Sequence, residues 1–527
     1  MSRVVWSMYK PFLTGCGPND SRLVAVLGFL GFAGFLAWMM ALGRFADVDE
    51  CWYKETGRQW AINGRWANPT ILGFMPGLEV PPEVVHFTQP PVYAFLFGLF
   101  VKVAGFGWRQ CVFFDAIIRM GLALILGRAV RKIGGPLIPT VVSWAISWGF
   151  LLVNTRMGRP DALAVCFGVC GLLLLQDQPL DLRRIVGSGV LFGLCTGTNL
   201  VGGCIMGMIA VPLILLSSSG WRSGFVFCAL WATVTAIILG MIVAPILVAA
   251  PGCIMQFLAH GRIHAGERLT INVILEVLKG HGSMAILLAG TGLATLFTSV
   301  SSLRIMNRQD WLRLWSGPAL ALATWFVLSS RKEYYLIFVA LWLFVLTAGQ
   351  LGRQWDWFPR RVRRLSAGTL AAILLLVGSQ GVKDASELFL PTHQSPAWNE
   401  RWLQSVIPPG SKVVASQNSW WFLMNERVVF DGTWAGPDMT QVDYVVLTRE
   451  SFYSKSTAGY PQPPTFQKSF GPLKSYQISD HFRLLASNFS PEKPGFGAMV
   501  FERIPADLNE NPDVAGDPMI ARPDTAE

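Results

Sequence analysis

Residues 23–60 read "LVAVLGFLGFAGFLAWMMALGRFADVDECWYKETGRQW", and the fold is decided at the join in the middle. Residues 23–42 carry no charged side chain. About 20 apolar residues suffice to cross a bilayer, so this run reads as a membrane span. It is long, and "MALGRFADVDE" lacks a small-x-small cleavage pattern, so a span fits better than a cleaved leader. Directly beyond it Asp47, Asp49 and Glu50 crowd the lipid boundary.

The rest of the chain repeats the first half of that pattern. Of 527 residues, 52% are hydrophobic and only 14% charged, against about 25% charged in soluble domains. Apolar runs at 23–42, 111–130, 137–154, 162–176, 185–199, 201–217, 225–248, 284–303, 314–330, 334–349 and 367–382 make a polytopic helical membrane protein with about 11 transmembrane helices. The formal net charge of +10 sits in short clusters between these runs: Arg128/Arg131/Lys132, Arg183/Arg184, Arg304/Arg308/Arg313 and Arg353/Arg360/Arg361/Arg363/Arg364. Such clusters are topology signals rather than a nucleic-acid surface. All fall on one side if the N-terminus is cytoplasmic, which puts 43–110 and the C-terminal part outside. Nine cysteines lie mostly in apolar runs, show no zinc spacing, and are absent after Cys253.

"QPPVYAFLFGLFVKVAGFG", residues 89–107, is apolar but interrupted by Lys102, and counting it as a span would reverse every later basic cluster. It is expected to be an interfacial or re-entrant helix opened by Pro90 and Pro91, with a twelfth span as the plain alternative. The transmembrane module is thus 1–385, with an outer loop at 43–110. "SPAWNERWLQSVIPPG" then reads as a helix stopped by proline, and "GSKVVASQNSWWFLMNERVVFDGTW", "VDYVVLTRES", "SYQISDHFRLLASNF" and "GAMVFERIP" as short strands with turns. A soluble α/β domain is expected at 386–505. Residues 506–527 are an acidic, proline-containing, disordered tail.

Four polar clusters carry chemistry. Carboxylates beside a membrane are partly desolvated by any loop that covers them, which raises their basicity. Asp49, with Glu50 and Asp47, is therefore placed to act as a base or to hold a divalent metal such as Mg, Mn or Zn; a solvated helix end is the plain alternative. In "NTRMGRPDAL", Asp161 either caps the helix behind Pro160 or lines an outward cavity with Arg159. In "SSRKEYYLIF", Arg331 and Lys332 stand at the outer interface, against the charge bias of the chain, where they can hold a lipid phosphate or snorkel to headgroups. The outer loop 250–282 holds His260, His264 and His281 and is expected to close over a substrate rather than bind zinc. Phosphate-loop, nucleophile-elbow and dinucleotide motifs are absent.

Taken in order, these clusters resemble the GT-C membrane glycosyltransferases, above all the protein O-mannosyltransferases and lipid A aminoarabinose transferases. Asp49-Glu50-Cys51-Trp52-Tyr53 is similar to the family's D-E-x-x-Y, "TQPPVYAFLFGLFVKVAGFG" to its proline-opened juxtamembrane helix, "RMGRPDAL" to its Arg/Asp turn, and "RKEYYL" to its basic-Y-Y-L. The resemblance covers roughly 20–380. It implies a transferase moving a sugar from a polyprenyl-phosphate donor to a lipid, glycan or protein acceptor at the outer face of a bacterial inner membrane. In it Asp49 is the catalytic carboxylate, assisted by Glu50 or Asp47. Arg331, Lys332, Tyr334, Gln89 and His86 bind the donor phosphate, and Arg159, Asp161, Tyr53 and His264 line the substrate cavity. Two positions depart from the family: Gln89 stands where Lys or His is usual, and Thr198-Asn199 where a Lys is usual. Both remove positive charge near the expected phosphate. That keeps a non-catalytic lipid- or protein-binding scaffold open as an alternative, alongside a flippase or transporter. The C-terminal domain is expected to aid acceptor recognition or shield the site.

Overall fold

The computed structural model describes residues 50–71, 78–82, 84–133, 158–176, 180–265, 308–327, 335, 338–343, 345–346, 349, 396–415, 419–423, 428–431, 442–448, 482–487 and 498–504. The spans expected at 23–42, 137–154, 284–303 and 367–382, and the tail 506–527, lie outside the described residues.

Within the outer loop the acidic motif runs into a helix, α1, Glu50–Asn63. Its own side chains favour it. Glu50 sits in the first turn, where a negative charge suits the helix N-terminus. Lys54 follows at i+4 from Glu50, and Glu55 is bridged to Arg58 and Gln59 within the next turn. Gly64, at φ 67°, ends it in the left-handed conformation usual for a helix terminus.

Helix α2, Val92–Ala104, begins after Pro91. Its 13 residues rise about 20 Å, short of the roughly 30 Å of a hydrocarbon core. Val92, Tyr93, Ala94, Phe97, Gly98 and Val101 face inward, while Phe95, Leu99 and Val103 form an exposed apolar stripe at helical spacing. A short helix with one apolar face packed and the other bare suits the interface. It lies across α1, and their backbones touch: a Cβ on Gly57 would run into the Ala94 carbonyl oxygen, and one on Gly98 would lie 2.7 Å from the Gly57 oxygen.

The bundle proper comprises α3 Trp108–Ile133, α4 Asp161–Gln176, α5 Leu182–Thr198, α6 Leu200–Ser217, α7 Trp221–Ala249 and α9 Arg308–Val327, with α8 Ile254–Ala265 after α7. Trp108–Val130, Leu200–Ser217 and Trp221–Ala249 are long and apolar enough to cross a membrane. The break between α5 and α6 is one residue, Asn199, which ends α5 and caps α6 by accepting from the Gly202 amide at 2.9 Å. Basic clusters gather at one end of the bundle. Lys132 at the end of α3 reaches the Leu173 carbonyl near the end of α4, Arg313 near the start of α9 reaches that of Gln176, and Asp181 caps α5 beside Arg184. The start of α1, the turn before α4, Asn199 and the end of α7 lie at the other.

The C-terminal residues form a five-stranded sheet of order β2-β1-β3-β5-β4, from β1 Lys412–Ala415, β2 Val428–Asp431, β3 Tyr444–Thr448, β4 Phe482–Ser487 and β5 Ala498–Arg503. β1 is parallel to β2 and β3, and β5 is antiparallel to β3 and β4. Two helices attend the sheet: α10 Pro396–Val406, where the sequence placed one, and a single turn α11 Trp420–Leu423 between β1 and β2. Leu403, Val413, Trp420 and Phe422 share one buried cluster with Trp52, Tyr93, Phe97 and Trp108, so sheet and outer loop have a common core.

Gly57→Ala gains about 1 kcal/mol of helix propensity, but overpacking typically costs 1–3 kcal/mol, and here the obstacle is backbone. The substitution is expected to lower the melting temperature of the purified protein. An unchanged or raised value would contradict the close crossing.

Candidate functional site

At the non-basic end of the bundle, charged side chains are buried and matched. Lys54, fully buried on α1, is the hub. Its ammonium donates to Glu50 Oε1, to Asp115 Oδ2 at 2.9 Å and to the Cys111 carbonyl at 3.3 Å. Tyr93 OH donates to the other Asp115 oxygen at 3.0 Å, tying α2 to the same carboxylate. Burying one lysine against two carboxylates is costly unless geometry and hydrogen bonds are good, and here each group has a partner.

Glu50 is also pressed by the chain before α4. Gly158 lies at φ +86°, and a Cβ on it would sit 2.5 Å from Glu50 Cδ. Only glycine satisfies both the backbone angle and the close approach. That contact brings Arg159 and Asp161 next to the acidic helix. Arg159 Nε donates to Asp161 Oδ2 at 2.8 Å, and its guanidinium lies over the Tyr53 ring, 5.6 Å from the centroid. Asn199 Nδ2 donates to Asp161 Oδ1 at 2.7 Å. Asp161 therefore both opens α4 and bridges two turns. Asn199, where the family's lysine would stand, carries out a neutral part of that bridging.

Two clefts flank this network. One is lined by Asp115, Ile118, Arg119, Gly158, Arg159, Asp161 and Ala162, which bring two guanidiniums and two carboxylates together. The other opens among Trp52, Tyr53, Trp66, Tyr93, His86, Gln89 and Thr56. His86 Nδ1 shares a hydrogen with Thr56 Oγ1 at 2.6 Å, and Thr88 sits on its Nε2. Of the expected site residues, the structure thus brings Glu50, Tyr53, His86, Gln89, Arg159 and Asp161 to one end of the bundle. Asp47, Asp49, Arg331, Lys332 and Tyr334 lie outside the described residues. The backbone of His260 and His264 falls on α8, while their side chains lie outside them. α8 is fixed to the outer loop by the buried Gln256, which accepts from the Phe87 amide and donates to the Val80 and Val85 carbonyls.

Sequence reasoning passed over Lys54, Asp115 and Arg119. The last two sit inside "CVFFDAIIRMGLALILG", read only as a span, although an ionisable residue within an apolar run is itself a signal of a site. As for a metal, no group of three or more His, Cys, Asp or Glu among the described residues could hold one. The space between Glu50 and Asp115 already holds the Lys54 ammonium, so these carboxylates do not fit a metal pair.

No family model and no curated protein matches the sequence. Solved structures do. The chain is similar to ArnT, the lipid A aminoarabinose transferase of Cupriavidus metallidurans, bound to undecaprenyl phosphate: TM-score 0.57, 12% identity, covering 90% of this chain and 97% of that one. Arabinofuranosyltransferase AftD from Mycobacteria gives TM-score 0.48 at 14% identity over 91% of this chain and 40% of its own. The Archaeoglobus fulgidus oligosaccharyltransferase, in complex with zinc and sulfate, gives 0.45 at 14% over 88% and 70%.

Removing the hub charge leaves Glu50 and Asp115 buried without a counterion. Lys54→Met is expected to cost about 3–5 kcal/mol, read as loss of folded protein in thermal or denaturant unfolding; a loss under about 1 kcal/mol would contradict a buried pair. Asn199→Asp, which sets a second carboxylate against Asp161, is expected to destabilise more than Asn199→Ala, which loses the helix cap at about 0.5–2 kcal/mol; the reverse order would contradict the Asn199–Asp161 bond. Over 90% of its length the chain shares the fold of ArnT, a GT-C membrane glycosyltransferase.

Proposed function

We propose that this protein is a glycosyltransferase that moves a sugar from a polyprenyl-phosphate carrier to an acceptor at the outer face of the membrane. One observation carries the reading: on a GT-C fold, the helix that begins at Glu50, the Gly158–Asp161 turn and Asn199 converge at the end of the bundle opposite its basic clusters. That ArnT is bound to undecaprenyl phosphate supports a lipid-phosphate carrier for this chain as well.

The roles follow from chemistry. Asp49, one residue before α1, is the catalytic carboxylate and takes the acceptor proton. Glu50, enclosed by Lys54 and Gly158, assists by fixing the start of α1. Arg331 and Lys332, with Tyr334, hold the carrier phosphate and stabilise its charge as it leaves. Arg159 and Asp161 shape the charged cleft, and Gln89 and His86 line the aromatic cleft. The soluble sheet then lies on the outer side, with about 11 transmembrane helices in all, and the acceptor is a lipid, glycan or protein. A divalent ion at Asp49 remains an alternative use of that carboxylate. A scaffold without catalysis would show the same fold, and activity separates the two.

Purified protein given a panel of polyprenyl-phosphate sugars is expected to release or transfer sugar. Asp49→Asn should reduce the rate by about 100-fold or more, the range for loss of a general base, with folding unchanged. Arg331→Ala/Lys332→Ala should raise the donor KM. Full activity in Asp49→Asn, or no turnover by the wild type with any carrier, would overturn the reading.

A further inference from the structure

We propose that Trp420 is a positioning residue for the acidic helix, so that the C-terminal sheet sets the geometry of the outer-face site as well as covering it. The inference rests on the transferase reading for its kinetic consequence, and on structure alone for the contact.

Glu55 is fully buried on α1, five residues beyond Glu50. At 3.6 residues per turn the two carboxylates point about 140° apart, to different sides of the helix. Glu50 faces the bundle through Lys54. Glu55 faces the sheet, where its two oxygens accept from Arg58 at 2.8 and 2.9 Å, from Gln59 at 2.7 Å and from the indole N–H of Trp420 at 3.0 Å. Burial works against the Arg58 charge, but the Glu55 carboxylate outweighs it and holds the guanidinium pKa above its ordinary value. Arg58 lies over the Phe106 ring, whose edge meets Trp420 with centroids 5.5 Å apart. Trp420 is 1% exposed and belongs to α11, the turn between β1 and β2. A third side of α1 is held by Thr56 on His86, and Gly57 rests on α2.

The helix bearing the acidic motif at its start is therefore clamped between bundle and sheet, and Trp420 makes the sheet's polar contact with it. A buried carboxylate that loses one donor keeps the desolvation cost without the bond. Its helix should then settle differently, moving Asp49 relative to the donor. Small displacements of a reacting group lower turnover more than they lower binding.

Trp420→Phe keeps the ring against Phe106 and removes only the N–H; Glu55→Gln keeps the shape and removes the charge. In the full-length protein Trp420→Phe is expected to lower kcat by about tenfold, the size of one buried hydrogen bond, and Glu55→Gln, which also removes the Arg58 counter-charge, by at least as much, with donor KM unchanged. The double variant should lose little more than Glu55→Gln alone. Amide exchange across 50–63 should quicken in Trp420→Phe. Unchanged kcat, a change confined to KM, or additive losses would overturn the positioning role. If the wild type transfers no sugar, the transferase reading fails while the contact is still decided by amide exchange: unaltered exchange in 50–63 overturns it, and faster exchange there upholds it.

Discussion

The structure turns on one buried cation. Lys54 lies between Glu50 and Asp115, and through Asp115 it also reaches Tyr93. These residues come from α1, α2 and α3, so a single ammonium fixes the acidic helix, the interfacial helix and a long apolar helix of the bundle. Taking such charges out of water costs several kcal/mol per ion. Chains retain an arrangement of that kind where the charges must stand in one place. Everything next to it depends on it: Gly158 rests on Glu50, Arg159 covers Tyr53, and Asp161 reaches Asn199.

A bundle with its basic clusters at one end and this matched network of charges at the other separates two tasks. The basic end carries the positive clusters that ordinarily orient membrane proteins. The opposite end gathers clefts, interfacial helix and sheet. The bare stripe Phe95–Leu99–Val103 suits α2 to contact with acyl chains, while its inner face supplies Tyr93 to the site. Under the proposed function, a lipid carrier approaching along the membrane would meet α2 before it met the carboxylates.

Apolar runs were legible because periodicity and length suffice for helices in lipid: 111–130, 162–176, 201–217 and 225–248 fall within observed helices, and 185–199 overruns its helix by the one residue Asn199. The short β-branched runs of the C-terminal part were legible for a similar reason, and "SKVVAS", "VDYVVLTRES" and "GAMVFERIP" hold β1, β3 and β5. Less was legible in the polar outer loop. "CWYKETGRQW" looks solvated when read alone, yet Lys54, Glu55 and Arg58 are buried. Their burial is made tolerable by partners far away in sequence, Asp115 and Trp420, and local composition does not encode such pairings.

The proposed function puts the carrier phosphate at the Lys54 end of the bundle. A structure of the full-length protein in nanodiscs with a polyprenyl phosphate decides this. Headgroup density is expected beside the start of α1, at the end that holds Lys54 and Asp161, with the acyl chain running along α2. Headgroup density confined to the end that holds Lys132, Arg184 and Arg313 would contradict it.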